Sequence, residues 1–141
     1  GPQREYLAWV SRSLPGPDAV FLGKREDRPD ALTAADALIH PSASEGLPTV
    51  VLEAQAMGIP VVGARVRGTS DLLVGGAGIL CPVGDVQALA AGLRLVLHDP
   101  ERRAAVVAAG ARRAAQHDTG LARMAALSIG HLLLSRPTTT G

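Results

Sequence analysis

Two glutamates, Glu45 and Glu53, lie on either side of a turn where a helix is expected to begin. Proline is favoured in the first turn of a helix, so Pro48 predicts that the helix opens there. The first N–H groups of a helix have no partner within it, and the helix dipole adds partial positive charge where they point. The amides of Thr49, Val50 and Val51 are therefore predicted to have no intrahelical partner and to receive a phosphate.

Glu53 lies roughly 7 to 8 Å along this helix at about 1.5 Å per residue, and its side chain leans back towards the N-terminus. A carboxylate there would accept hydrogen bonds from two neighbouring hydroxyls, as a ribose offers. Glu45 lies on the other side of the phosphate position, so a nucleoside diphosphate sugar would run from Glu53 at the ribose to Glu45 at the sugar. Spacing alone favours a simpler interpretation, in which Glu45 is a solvated loop residue and Glu53 a surface helix residue.

The elements that would hold these residues alternate between short apolar runs and helical segments. Such alternation predicts an α/β fold, a Rossmann-like parallel sheet with helices on both faces, whose ligands bind at the carboxyl ends of the strands. Strands are predicted at 19–23, 37–40, 60–63 and 78–81. Helices are predicted at 3–14, 29–35, 48–58, 68–74, 85–98, from Pro100 after an Asp99 cap, and at 121–134.

The sequence segment around the glutamates resembles the retaining glycosyltransferases of the two-Rossmann-domain (GT-B) fold, group 1 type. Members of that family carry two glutamates separated by seven residues. The resemblance rests on a Pro-Ser pair, a Glu-Gly-Leu-Pro turn and a Glu-Ala-x-Ala-x-Gly-x-Pro-Val-Val run. These stand at Pro41-Ser42, Glu45-Gly46-Leu47-Pro48 and Glu53 to Val62. With Val20 to Gly23, Gly68-x-x-Asp71 and Gly84-Asp85 in the same order, the resemblance covers roughly positions 1 to 115.

The resemblance implies a role for each matching residue. Glu45 corresponds to the catalytic-site glutamate that contacts donor-sugar hydroxyls, and Glu53 to the ribose ligand. Donor-binding roles also fall on Gly46 and Leu47 at the sugar, Thr49 and Val50 at the phosphates, and Lys24 and Arg25 at the edge of the nucleobase. The leaving diphosphate is stabilised electrostatically in such enzymes, so the resemblance implies no metal and no cofactor; the nucleotide sugar is a substrate.

The resemblance also predicts the extent of the domain. We expect the donor-binding C-terminal domain at 1–135 and a tail at 136–141, with the first strand or strands and the acceptor domain missing. Two basic residues of the family's diphosphate clamp would lie in that missing part, so the chain alone is expected to be inactive. The alternatives are a non-catalytic nucleotide-sugar-binding remnant, another enzyme on the same fold, or a partner-binding module.

Composition narrows the remaining partners and the compartment. The chain has 141 residues, 47% of them hydrophobic, which predicts one domain with a hydrophobic core. A formal net charge of +1 gives no reason to expect nucleic acid, and a single cysteine favours the cytoplasm. No membrane span is expected. Further partner hypotheses are a dimer through the apolar last helix and a peripheral membrane contact of the complete enzyme.

Overall fold

The computed structural model describes residues 2–13, 15–16, 19–20, 28–43, 46–117 and 119–134. Helices and strands alternate through most of this length, as the sequence predicts. The elements are α1 Pro2–Ser13, α2 Arg28–Thr33, β1 Leu38–His40, α3 Thr49–Ala56, β2 Val61–Ala64, α4 Arg67–Leu73, β3 Ile79–Cys81, α5 Val86–His98, α6 Pro100–Ala115 and α7 Thr119–Leu134.

The described strands form a parallel sheet in the order β1-β2-β3. Leu38 pairs with Val61 in one ladder and Val62 with Ile79 in the other. Every residue of the central strand β2 is buried, as expected of a parallel strand covered on both faces. The predicted parallel α/β sheet is therefore confirmed.

Successive residues of β2 point to opposite faces of the sheet, and each face is covered by helices. Val61 packs in one cluster with Leu72 and Leu73 of α4 and with buried residues of α3. Val62 packs in a second cluster with Cys81 and with Val96 of α5. The helices α3 and α4 therefore cover one face of the sheet and α5 covers the other, as predicted. Helices α6 and α7 pack against α3.

A glycine in β2 lets α4 approach the sheet closely. A Cβ at Gly63 would lie 2.8 Å from Thr69 Cγ2 and 2.9 Å from Leu73 Cδ1, closer than carbon atoms pack without displacement. The absence of a side chain at this position therefore sets the spacing between β2 and the helix that follows it.

Both ends of α3 follow from local chemistry. Gly58 has φ of 75°, Gly58 N donates to Gln55 O, and Ile59 N donates to Ala54 O, which is the glycine-ended stop that the sequence predicts. At the other end Pro48 was expected as the first helical residue, but it is the N-cap. Its backbone is extended, with φ of −78° and ψ of 104°, so the helix begins one residue later, at Thr49.

The predicted first strand is not seen in the part of it that the structure describes. Ala19 and Val20 lie outside any strand, and Val20 is 78% exposed where a buried strand was expected. The remainder of that segment, 21–23, lies outside the described residues.

Asp99 caps α6 as predicted, because its Oδ1 accepts a hydrogen bond from Arg102 N at 3.0 Å. Removing an N-cap side chain typically costs about 1 kcal/mol, so we expect Asp99→Ala to lower the free energy of unfolding by about that amount. Urea denaturation measures it. Glu101→Ala, which changes an exposed carboxylate in the same turn without removing the cap, should cost less; an equal loss would contradict the capping role.

Candidate functional site

The carboxyl ends of the strands carry the candidate site, and α3 begins beside the end of β1. Val51 N and Leu52 N donate to Pro48 O at 3.1 and 3.4 Å, which closes the first turn. The Val51 amide, which was expected to be free, is therefore occupied, because the extended N-cap Pro48 presents its carbonyl to it. The amides of Thr49 and Val50 precede these bonds and have no intrahelical acceptor. Thr49 is exposed and Val50 is half-buried, so this end of the helix can be reached by a ligand.

Glu53 lies on the same face of α3 as Thr49, one turn further along. Residues four apart on a helix are neighbours, about 6 Å apart along the axis. Glu53 is half-buried, and its Oε2 is shielded from solvent. The structure therefore brings Glu53 and the open end of α3 together, as the sequence predicted.

The turn before α3 is open. Gly46 is exposed, a Cβ there would meet nothing within 4 Å, and Leu47 is 54% exposed. Both residues can therefore form the rim of a site at the helix end. Glu45, Lys24 and Arg25, the other predicted site residues, lie outside the described residues.

Two arginines at the carboxyl end of β2 enlarge the positive potential of this edge. Arg65 and Arg67 are exposed, and Arg65 N donates to Cys81 O at 2.7 Å, which holds the loop after β2 beside β3. Arg65 lies in the connection after β2 and Arg67 begins α4, and nothing in their spacing in the sequence assigned these two arginines a role. Exposed cations here would attract an anion to the helix end.

The other polar groups at the carboxyl ends of the strands are more buried than these arginines. His40 ends β1 and is half-buried, with Nε2 shielded from solvent. Cys81 ends β3 as a buried free thiol; burial raises its pKa, the nearby Asp85 carboxylate adds to the rise, and Arg65 opposes it. A thiol with a raised pKa stays protonated and is a poor nucleophile.

The sequence did not reveal the structural role of Gln55. It is 2% exposed, and its Nε2 donates to Leu72 O at 2.8 Å and to Ala77 O at 3.2 Å. These bonds fix α3, which carries Thr49 and Glu53, against the end of α4 and the turn before β3. An amide side chain between two alanines, Ala54 and Ala56, was the available signal.

The described part of the chain contains neither a metal-binding cluster nor a membrane-spanning helix. No group of three His, Cys, Asp or Glu side chains there could hold a metal ion. No helix there is both long and apolar enough to cross a membrane.

Fold and site together define a Rossmann-like α/β domain in which the N-terminus of a helix is accessible at the carboxyl ends of the strands. The sequence profile of glycosyl transferases group 1 matches residues 3–113. This chain belongs to that family, and the GT-B resemblance of its sequence is confirmed.

Named relatives agree with this assignment. The chain is 36% identical over 124 residues to the sulfoquinovosyl transferase SQD2 of Arabidopsis thaliana, covering 84% of this chain and 24% of the relative. It is 36% identical over 135 residues to the D-inositol 3-phosphate glycosyltransferase of Kineococcus radiotolerans, covering 87% and 31%. The chain therefore spans between a quarter and a third of the length of these relatives.

A solved structure supports the fold independently. The crystal structure of HepE from Anabaena in complex with UDP-glucose is similar to this chain with a TM-score of 0.72 and 28% identity. The similarity covers 94% of this chain and 36% of HepE. The three-stranded parallel sheet and its helices therefore correspond to part of a protein of known structure that was crystallised with UDP-glucose.

Proposed function

We propose that this chain is the donor-binding part of a retaining glycosyltransferase that takes its sugar from a nucleoside diphosphate sugar. The observation that carries the proposal is the open N-terminus of α3, with Glu53 one turn along the same face. A helix N-terminus binds phosphate through its free amides and its dipole. That HepE is similar in fold and was crystallised with UDP-glucose supports the choice of ligand.

In this proposal the helix end stabilises the leaving diphosphate. Negative charge grows on the diphosphate as its bond to the sugar breaks, and fixed amides and the helix dipole aimed at that charge lower the barrier without reorganising. Arg65 and Arg67 add positive potential at the same edge. The reaction then needs no nucleophile from the protein, which is consistent with the raised pKa of the Cys81 thiol.

The remaining donor contacts follow from the family resemblance. Glu45 would accept hydrogen bonds from the hydroxyls of the donor sugar, and Gly46 and Leu47 would line that pocket. Lys24 and Arg25 would border the nucleobase. The exposure of Gly46 and Leu47 is compatible with such a rim.

We further propose that transfer requires an acceptor-binding domain besides this one. The chain corresponds to 24% and 31% of two glycosyltransferase relatives, so most of their length has no counterpart here. Residues 1–135 would form the donor-binding domain, and by itself it would bind the nucleotide sugar without transferring the sugar. A free, buried Cys81 is compatible with a reducing compartment such as the cytoplasm.

Replacing Thr49 by proline tests the phosphate site, because it removes one N–H and leaves the helix intact. Proline is favoured at the first helical position, and the extended backbone of Pro48 suits a residue before proline. We expect Thr49→Pro to weaken UDP binding about 10-fold or more, since a hydrogen bond to a charged group is worth about 1.5 to 3 kcal/mol. Isothermal titration calorimetry with uridine, guanosine, adenosine and thymidine diphosphates measures it and identifies the base.

Thr49→Ala is the matched control, because it changes the same exposed side chain but keeps the N–H. It should bind the preferred nucleotide nearly as the parent chain does. Equal affinities for the alanine and proline variants would argue against a phosphate at this amide. If the folded parent chain binds none of the four nucleotides, the donor-binding proposal for this chain fails.

A further inference from the structure

A groove lies at the amino ends of the strands, on the opposite side of the sheet from the candidate donor site at their carboxyl ends. It is formed by the turn that joins α4 to β3 and by the C-terminal half of α6, and its volume is about 220 Å³. The turn contributes Gly75 and Ala77, α6 contributes Arg112 and Arg113, and Gln116 lies just after the end of α6. Because Ala77 precedes β3, this groove opens at the amino ends of the strands.

The groove is basic and has no charge partner within the described part of the chain. Arg112 is exposed and Arg113 half-buried, and none of the residues that line the groove is acidic. Neither arginine forms an ion pair among the residues that the structure describes. By contrast, Arg103 on the same helix donates Nη1 to Asp36 O at 2.9 Å. Two guanidinium groups therefore border one open groove without an ion-pair partner among the described residues.

The α6 dipole explains part of this arrangement but not all of it. Cations are favoured in the last turn of a helix, where the dipole is negative. That preference does not require adjacent arginines to border a cavity, or a carboxamide to lie beside them at Gln116. Guanidinium groups present several N–H donors in a fixed plane that matches the oxygens of phosphate.

We propose that this groove binds a phosphate group at a site separate from the donor site. Gln55 marks the separation, because it lies beneath the groove and donates to Ala77 O. It follows Thr49 by six residues on α3, a distance of about 9 Å along the axis at about 1.5 Å per residue. One phosphate cannot contact both the amide of Thr49 and the groove. The ligand is a phosphate ester, either a free metabolite or a lipid headgroup.

A titration of the ¹⁵N-labelled chain with inorganic phosphate, followed by NMR, tests the site. We expect saturable shifts at the amides of Gly75, Ala77 and Gln116. In Arg112→Ala/Arg113→Ala the affinity should fall at least about 10-fold. The matched control, Arg94→Ala/Arg102→Ala, removes the same charge from exposed arginines and should keep the parent affinity.

Three results would overturn the proposal. Shifts that sodium chloride reproduces at equal ionic strength, or that do not saturate, would indicate an adventitious ion only. An equal loss of affinity in both double variants would indicate a general charge effect. Binding of UDP in Arg112→Ala/Arg113→Ala should match the parent chain, and a parallel loss of UDP binding would contradict the separation of the two sites.

The source of the phosphate is distinguished by vesicle sedimentation. Vesicles of phosphatidylcholine with phosphatidic acid should retain the chain through Arg112 and Arg113 if the ligand is a headgroup, while vesicles of phosphatidylcholine alone should not. Saturable phosphate binding without vesicle binding would assign the groove to a free phosphate ester. If neither phosphate nor the acidic vesicles bind in an arginine-dependent way, the groove is not a phosphate site.

Discussion

Glu53→Gln is expected to weaken the binding of a nucleoside diphosphate by about 10- to 100-fold. The carboxylate lies one turn beyond the open end of α3, where it can accept hydrogen bonds from both hydroxyls of a ribose whose diphosphate is at Thr49. Charge-assisted hydrogen bonds contribute about 1.5 to 3 kcal/mol each, and about 1.4 kcal/mol is a tenfold change in affinity. A neutral amide keeps the shape of the side chain but loses that charge.

Calorimetry with UDP and with its 2′-deoxy analogue isolates the ribose contact. The parent chain should prefer the ribonucleotide, and Glu53→Gln should lose most of that preference. Glu45→Gln is the comparison: Glu45 is assigned to the sugar, so its replacement should affect UDP less than UDP-glucose. Equal and negligible losses from both substitutions would remove the basis for the donor site.

Local chemistry made much of the fold predictable from the sequence. Gly58 ends α3 because its backbone needs a positive φ, and Asp85 and Asp99 cap helices with their own side chains. Each of these signals involves residues only a few positions apart. Pro48 was misjudged by one position, because proline can both cap a helix and begin one, and only its extended backbone distinguishes the two.

Long-range contacts were not predictable in this way. Gln55 donates to carbonyls 17 and 22 residues further along the chain, and no local pattern indicates which carbonyls would come within reach. The groove at Arg112 and Arg113 is likewise created by the packing of α6 on the turn before β3. Adjacent arginines near the end of a helix ordinarily indicate a solvated helix face, and the sequence does not show which neighbours across the fold they will have.

The prediction of the candidate site rested on two kinds of signal, helix geometry and the family resemblance. The helix start at Pro48 and the position of Glu53 follow from helix geometry, and the structure brings them together. The assignment of a nucleotide sugar came from the family resemblance, which geometry alone could not supply. The roles of Glu45, Lys24 and Arg25 stay predictions, because these residues lie outside the described part of the chain.

Gln55→Leu is expected to cause the largest loss of stability among the substitutions considered. Leu72 O is one of the last carbonyls of α4, which have no intrahelical donor, and Gln55 supplies one. Leucine has a similar size but no donor, so the carbonyls of Leu72 and Ala77 would lose this bond inside the protein. Each buried group left unsatisfied costs about 1 to 3 kcal/mol. Leucine also removes Gln55 Oε1, a buried oxygen without a hydrogen-bond partner among the described residues, which offsets part of this cost, so we expect a net loss of about 2 kcal/mol.

Urea denaturation followed by circular dichroism measures this loss, with Gln87→Leu as the matched control. Gln87 is exposed on α5, so the same chemical change there should alter the free energy of unfolding by no more than about 0.5 kcal/mol. A cost for Gln55→Leu as small as that of the control would show that the two hydrogen bonds contribute little.

Gln55→Glu separates the loss of hydrogen bonds from a loss of packing, because its effect depends on pH. Burial beside two carbonyl oxygens raises the pKa of the introduced carboxyl in the folded state above its unfolded value of about 4.3. Below that value the carboxyl is protonated in both states and can donate one hydrogen bond. As pH rises above it, stability should fall by up to about 1.4 kcal/mol per pH unit until the folded-state pKa is reached.

Comparison of the two variants at pH 5 and pH 8 therefore identifies what Gln55 does. Relative to the parent chain, Gln55→Leu should be equally destabilised at both values, because it introduces no titratable group. Gln55→Glu should be distinctly less stable at pH 8 than at pH 5. At about pH 4, below the unfolded-state pKa, the protonated carboxyl of Gln55→Glu keeps one donor, so this variant should be less destabilised than Gln55→Leu. An equal cost of the two variants at that pH would assign Gln55 to shape rather than to hydrogen bonding.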